Sequence, residues 1–143
     1  METDSVKTVA RQFIQTWSIN RLHLVDELAS PDLTVFYPHF SEPIRSADSF
    51  KAMLSQVYRC FPDIAIEVDE IVAEANQAVV SWKYRATHQS GEMFGVRPTG
   101  QSVEVAGMTR YRIANGKVQS ERGVVDTFSL MVQLGAVPSP RSK

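Results

Sequence analysis

The sequence predicts an α+β domain in which N-terminal helices pack over one face of a curved antiparallel sheet. Three observations carry that expectation. Helical periodicity dominates residues 3–61, and alternation with a period of two dominates residues 64–128. Helices followed by a run of strands give this class rather than an alternating βαβ sheet. Finally, Asn115-Gly116 lies between two alternating runs. That is a hairpin signal, because both central residues of a type I′ turn need positive φ.

Taken in order, Thr3 to Ser18 read as a helix that Asp4 or Ser5 can cap, with Val6, Val9, Ala10, Phe13, Ile14 and Trp17 on one stripe. A short second helix buries Leu22, Val25 and Leu28 and ends before Pro31. Leu33 to Tyr37 form a strand, and Pro38-His39-Phe40-Ser41-Glu42-Pro43 a loop rich in breakers. Ser46-Ala47-Asp48 starts a third helix, striped by Phe50, Met53, Leu54, Val57, Tyr58 and Phe61 and stopped by Pro62-Asp63. A strand from Ile64 to about Glu74 is expected to bulge near Glu70. Asn76-Gln77 turns the chain into a strand over Ala78–His88, whose Val80, Trp82, Tyr84, Ala86 and His88 face inward. Gln89 to Gln101 is a long loop of the kind that covers sites. The expected domain spans residues 1–137, followed by a flexible tail over 138–143.

Composition excludes several function classes. A formal net charge of −1 over 143 residues leaves no basic stripe for nucleic acid. No apolar run is long enough to span a bilayer, and no signal-peptide core opens the chain. The single cysteine, Cys60, has no internal disulfide partner, which fits a reducing cytoplasm. His23, His39 and His88 lack metal-ligand spacing, so neither a metal nor another cofactor is expected.

The hairpin carries the functional clue. A two-residue turn sets Ile113 opposite Val118, Arg110 opposite Glu121, Thr109 opposite Arg122 and Val105 opposite Asp126. In that register Arg122 and Asp126 share the apolar face with Val103, Val105, Tyr111, Ile113, Val118 and Phe128, while Ala106, Met108 and Val125 lie on the other. Charge on a core face is costly unless it is paired or lines a wet cavity.

Several stretches then resemble the SnoaL-like polyketide cyclase family of the nuclear-transport-factor-2-like superfamily. They are Phe61-Pro62-Asp63, Ala86-Thr87-His88-Gln89, Gly95-Val96-Arg97-Pro98-Thr99-Gly100, and Arg112 to Val118 with Asp126 and Gln133-Leu134-Gly135. The resemblance implies a cone-shaped α+β fold with a deep apolar pocket, and homodimers through the outer sheet face. It also implies an aspartate and a histidine as the acid/base pair of aldol-type cyclases. Those positions fall on Gly123 and Thr109 here, while Asp126 matches a second acidic position and Arg122 one often held by tryptophan.

Asp126 is the leading catalytic candidate, because a carboxylate in an apolar cavity gains a raised pKa and becomes a usable acid or base. Its structural alternative is a pair with Arg122, although four residues on a strand span roughly 13 Å. A bulge at Gly123 would turn Asp126 to the other face. Arg122 could hold a ligand oxygen, or pair with Asp26 or Glu27. His88 could exchange a proton with a substrate lying between it and Asp126, or fix the loop through a backbone bond. Trp17, Phe36, Tyr37, His39, Met53, Trp82, Tyr84, Phe94 and Thr109 are the expected substrate wall. The expected function is cofactor-free acid/base cyclisation, isomerisation or hydration of a small apolar metabolite such as a polyketide or terpenoid. The alternative is a non-catalytic module that binds a ligand or dimerises.

Overall fold

In the computed structural model, which describes residues 2–140, the elements run α1 (Glu2–Phe13), a 3₁₀ turn (Ile14–Trp17), α2 (His23–Leu28), β1 (Ala29–Phe36), α3 (Ala47–Cys60), β2 (Ala65–Glu74), β3 (Gln77–Thr87), β4 (Ser102–Ala114), β5 (Lys117–Val125) and α4 (Thr127–Leu134). The strands form one curved sheet in the order β1-β5-β4-β3-β2. All neighbours are antiparallel except β1, which runs parallel to β5 and makes the sheet mixed. Two helices precede the sheet, α3 follows β1 and α4 follows β5, and helices cover the inner face, so the α+β class holds. The part of the expected tail over 141–143 lies outside the described residues.

The first helix is shorter than its apolar stripe. It tightens after Phe13 into the 3₁₀ turn, and Ser18 leaves it in an extended conformation. Tertiary bonds hold that exit. The Ser18 hydroxyl accepts from the Ile66 backbone N–H at 2.9 Å, and the Tyr58 hydroxyl donates to the Thr16 carbonyl at 2.6 Å. β1 begins at Ala29 rather than Leu33 and takes in Pro31. That is tolerable because β1 is a sheet edge, where a missing N–H breaks no ladder. Ser46 caps α3 by accepting from the Ser49 N–H at 3.0 Å.

Inside, Phe13 stacks on Phe50 and meets Tyr111 edge-on, with centroids 6.0 and 5.7 Å apart. These contacts seat α1 and α3 on the sheet. The hairpin turns as expected, with positive φ at Asn115 (54°) and Gly116 (73°). The bulge expected near Glu70 is also present, because Val68 pairs with Trp82 and Glu70 with Ser81, leaving Asp69 extra.

A second bulge overturns the expected hairpin register. Ile113 pairs with Val118, but the next pair is Arg112 with Ser120, so Gln119 is an extra residue. From there Tyr111 pairs with Glu121, Arg110 with Arg122 and Thr109 with Gly123. One extra residue in a period-two chain exchanges the faces of everything beyond it. Glu121, Gly123 and Val125 therefore turn inward, whereas Arg122 and Val124 turn outward. The bulge expected at Gly123 thus lies four residues earlier.

Candidate functional site

A cavity of about 320 Å³ lies between α3, the concave sheet face and α4. The 3₁₀ turn contributes Trp17, Tyr37 comes as the first residue after β1, and the loop that follows gives His39 and Phe40. From α3 come Met53, Gln56, Val57 and Cys60, from β3 Trp82 and Tyr84, and from β5 and α4 Val125, Thr127 and Leu130. Glu92, Met93 and Phe94 reach over from the loop between β3 and β4. Among the described residues, no lysine or arginine lines it.

From three of these wall residues, Trp17, Tyr37 and Trp82, a hydrogen-bonded chain runs back to the buried Thr109 and Glu121. The Tyr37 hydroxyl donates to Glu121 Oε2 at 2.6 Å, and Trp17 Nε1 reaches the same oxygen at 3.4 Å. Trp82 Nε1 donates to Thr109 Oγ1 at 2.9 Å, and that oxygen lies 3.1 Å from the Tyr37 hydroxyl. Because Tyr37 spends its proton on Glu121, Thr109 is the donor to Tyr37. The direction runs from Trp82 through Thr109 and Tyr37 to Glu121, so the chain converges on one carboxylate oxygen. Glu121 is only 1% exposed, and its Oε1 has no hydrogen-bond partner among the described residues. Burial pushes its pKa up from 4.5 to about 7, although the Tyr37 and Trp17 bonds pull the other way. The Tyr37 hydroxyl is raised well above its ordinary value by burial and then by Glu121 beside it, so it stays a neutral donor.

Two glycines make this packing possible. A Cβ on Gly123 would lie 2.4 Å from Tyr37 Cε2, and one on Gly107 2.4 Å from Trp82 Cζ2. The rings of Tyr37 and Trp82 therefore lie against bare backbone, where a larger residue would collide.

The catalytic candidates stand elsewhere. Asp126 does not lie on a strand facing the cavity. It is exposed, and as the N-cap of α4 it accepts the Ser129 N–H at 3.0 Å. Arg122 is on the outer face, its guanidinium 4.7 Å from the centre of the Phe36 ring. Phe36 is outward for the same reason that Tyr37 is inward, since neighbouring strand residues take opposite faces. Asp126 N–H bonds Ala106 O, and Ala106 pairs with Lys83, so His88, just past the end of β3, lies five residues beyond Lys83, roughly 16 Å along the strand direction. His88 is buried, and its Nε2 lies 2.6 Å from the Gly91 carbonyl, which makes Nε2 the protonated nitrogen. It anchors the base of the covering loop and packs on Phe61.

Of the expected wall, Trp17, Tyr37, His39, Met53, Trp82, Tyr84 and Phe94 line the cavity. Thr109 sits behind it in the hydrogen-bond chain, and Phe36 lies outside. His39 meets Phe40 edge-on, with ring centroids 4.8 Å apart, and burial lowers its pKa. The Tyr84 hydroxyl has no hydrogen bond among the described residues, and burial raises its pKa. Glu121 was missed by the sequence reading, because only the Gln119 bulge turns it inward. Thr109 and Gly123, where the resemblance sets the cyclase histidine and aspartate, face each other across β4 and β5.

Comparison with known proteins agrees with this architecture. The chain is similar to AclR, a candidate hydroxylase from Streptomyces galilaeus, at 29% identity over 98% of this chain and 87% of that one, with a TM-score of 0.84. It is similar to a candidate SnoaL-like polyketide cyclase from Jannaschia sp. CCS1 at 25% identity over 96% and 95% of the two chains, TM-score 0.81. An LEH-like epoxide hydrolase of M. tuberculosis shares the fold at 13% identity over 95% and 93% of the two chains, with a TM-score of 0.75. No curated protein is significantly similar to it in sequence. The SnoaL-like polyketide cyclase family model matches residues 7–134, and with its nuclear-transport-factor-2-like fold this chain belongs to that family.

Proposed function

We propose that this protein is a cofactor-independent acid/base enzyme of cyclase, isomerase or hydratase type, acting on a small apolar metabolite such as a polyketide or terpenoid. The observation that carries the reading is the cavity itself. Its wall is largely aromatic and aliphatic, it offers a Tyr84 hydroxyl with no hydrogen bond among the described residues, and a buried carboxyl stands behind it. Apolar walls with few polar groups bind neutral ligands and orient them by those groups. The family supplies precedent for catalysis in such a fold. Among the described residues no helix is long and apolar enough to cross a membrane, and a lone free cysteine suits a cytoplasmic location. Met108 and Val124, exposed side by side on the outer face, support a homodimer through the sheet.

Filling the cavity tests the reading. Met53→Trp should abolish both binding of a neutral naphthoquinone, followed by Trp17 and Trp82 fluorescence, and turnover of a polyketide and terpenoid panel, followed by mass spectrometry. Equal behaviour of wild type and variant would place the chemistry outside the cavity. The alternative, a ligand-binding module of the same fold, draws on one observation. Asp126, Arg122 and His88 are all absent from the cavity wall. Binding without any turnover across the panel would favour it.

A further inference from the structure

We infer that Tyr37 and Glu121 form a proton relay for a neutral carbon acid, such as a ketone or enol, with Tyr37 meeting the substrate and Glu121 exchanging the proton behind it. The inference rests on the acid/base reading above and deepens it. Tyr37 lines the cavity, and its hydroxyl proton is already committed to Glu121 Oε2 at 2.6 Å. Gly123 leaves the ring just enough space against β5, which fixes where the hydroxyl stands. Thr109, itself held by Trp82, supplies the donor on the other side of the Tyr37 oxygen.

Stability gives no reason for this carboxyl. A buried acid is ordinarily paired with a cation, because desolvating an isolated carboxylate is costly. Among the described residues the groups facing Glu121 are Tyr37 just past β1, Thr109 and Tyr111 of β4 and Trp17 of the 3₁₀ turn, none of them cationic. Arg122, next in the chain, points to the opposite face. One carboxylate oxygen gathers the donors, while Oε1 has no partner among the described residues. The group is thus left able to change protonation near neutral pH, as an acid/base catalyst requires.

The step balances without a co-reactant. A substrate C–H bond breaks, its proton passes to the Tyr37 oxygen, and the Tyr37 proton passes to Glu121 Oε2, which becomes a carboxylic acid. The electron pair left on carbon forms the C=C bond of an enolate, whose oxygen accepts a hydrogen bond from Tyr84. Reversal returns the proton to the same carbon or to a conjugated one, which is isomerisation. Among the described residues the lining holds no lysine or arginine, which suits a neutral substrate. Tyr37 is the catalytic residue of this scheme, and Glu121 positions and stores the proton.

Nitrobenzisoxazole is a suitable probe, being a small, flat, neutral molecule. Removal of its ring C–H proton breaks the N–O bond and releases a coloured cyanonitrophenolate. The full chain should convert it with saturation and a pH profile inflecting near 7. Tyr37→Phe and Glu121→Gln should each lower kcat at least tenfold with KM changed less than threefold, and Glu121→Gln should remove the inflection. A Glu121→Asp variant should recover part of kcat. Unchanged kcat in Tyr37→Phe, an inflection that persists in Glu121→Gln, or wild-type turnover no faster than that of acetate would each overturn the relay. Met53→Trp separates the two readings. If it abolishes turnover while the Tyr37 and Glu121 variants do not, the cavity stands and the relay falls. If it changes nothing, the cavity reading falls as well.

Discussion

The inner and outer faces of β5 each carry an ionisable residue and put it to opposite ends. Glu121 on the inner face and Arg122 on the outer are neighbours in sequence. Glu121 is shut away among aromatic rings, where burial makes its charge costly. Arg122 lies over Phe36 at the surface, where its charge is hydrated and adds only a weak cation–π contact. Asp126, five residues past Glu121, is a second carboxyl with a third role, closing the first turn of α4. Facing and solvent access, rather than residue type, decide what each charge can do.

The comparison can be broken most severely at Gly123. Gly123→Val would drive its side chain into the Tyr37 ring and should cost at least ~3 kcal/mol, whereas Val124→Ala on the outer face should cost under ~1 kcal/mol. Urea midpoints of the two variants check this, and similar losses would mean that the inner face is not tightly packed.

The next effect is the pH dependence of stability. The folded pKa of Glu121 is raised to about 7 from 4.5, so the folded state holds the proton more tightly than the unfolded chain. This contribution is present below pH ~4.5 and is lost as pH rises toward ~7, a decline on the order of 3 kcal/mol. Glu121→Gln should flatten that part of the curve between pH 5 and 8. An identical slope in wild type and variant would show that Glu121 is not the group responsible.

Smaller effects belong to the exposed charges. Asp126→Ala should lower stability by about 1 kcal/mol through loss of the cap, and leave naphthoquinone binding unchanged. Altered ligand affinity would return Asp126 to the candidate site. Arg122→Ala should cost only ~0.5–1 kcal/mol, the value of an exposed cation–π contact, in the same urea assay.

Much of the fold was legible, because it rests on periodicity and on turns with few solutions. Asn115-Gly116, the Asp69 bulge and the apolar stripe of α3 all follow from local chemistry. Facing along β5 was not. Between Val118 and Asp126 the apolar residues are the adjacent pair Val124 and Val125, which fit either phase equally. Nothing in Gln119 itself marks it as the extra residue. The strand end did carry a missed signal: Asp126 lies three residues before Ser129, an apolar run follows, and Gly135 closes it with φ of 85°. That is a capped helix, and reading it would have ended the strand at Val125. The cavity wall was mostly legible from aromatic phases, while the carboxyl behind it depended on the one register step that composition leaves undecided.

Gln119 acts as a parity bit for the last quarter of the chain. Removing it would leave every other residue and the overall hydropathy almost untouched, yet would exchange Glu121 with Arg122 and Gly123 with Val124 between inside and outside. A second one-residue change on the same strand would restore the original order. Length changes of one between the hairpin turn and Glu121 are therefore the least tolerable edits here, and changes of two among the more tolerable. The chemistry of the inner face is in this sense held by a count.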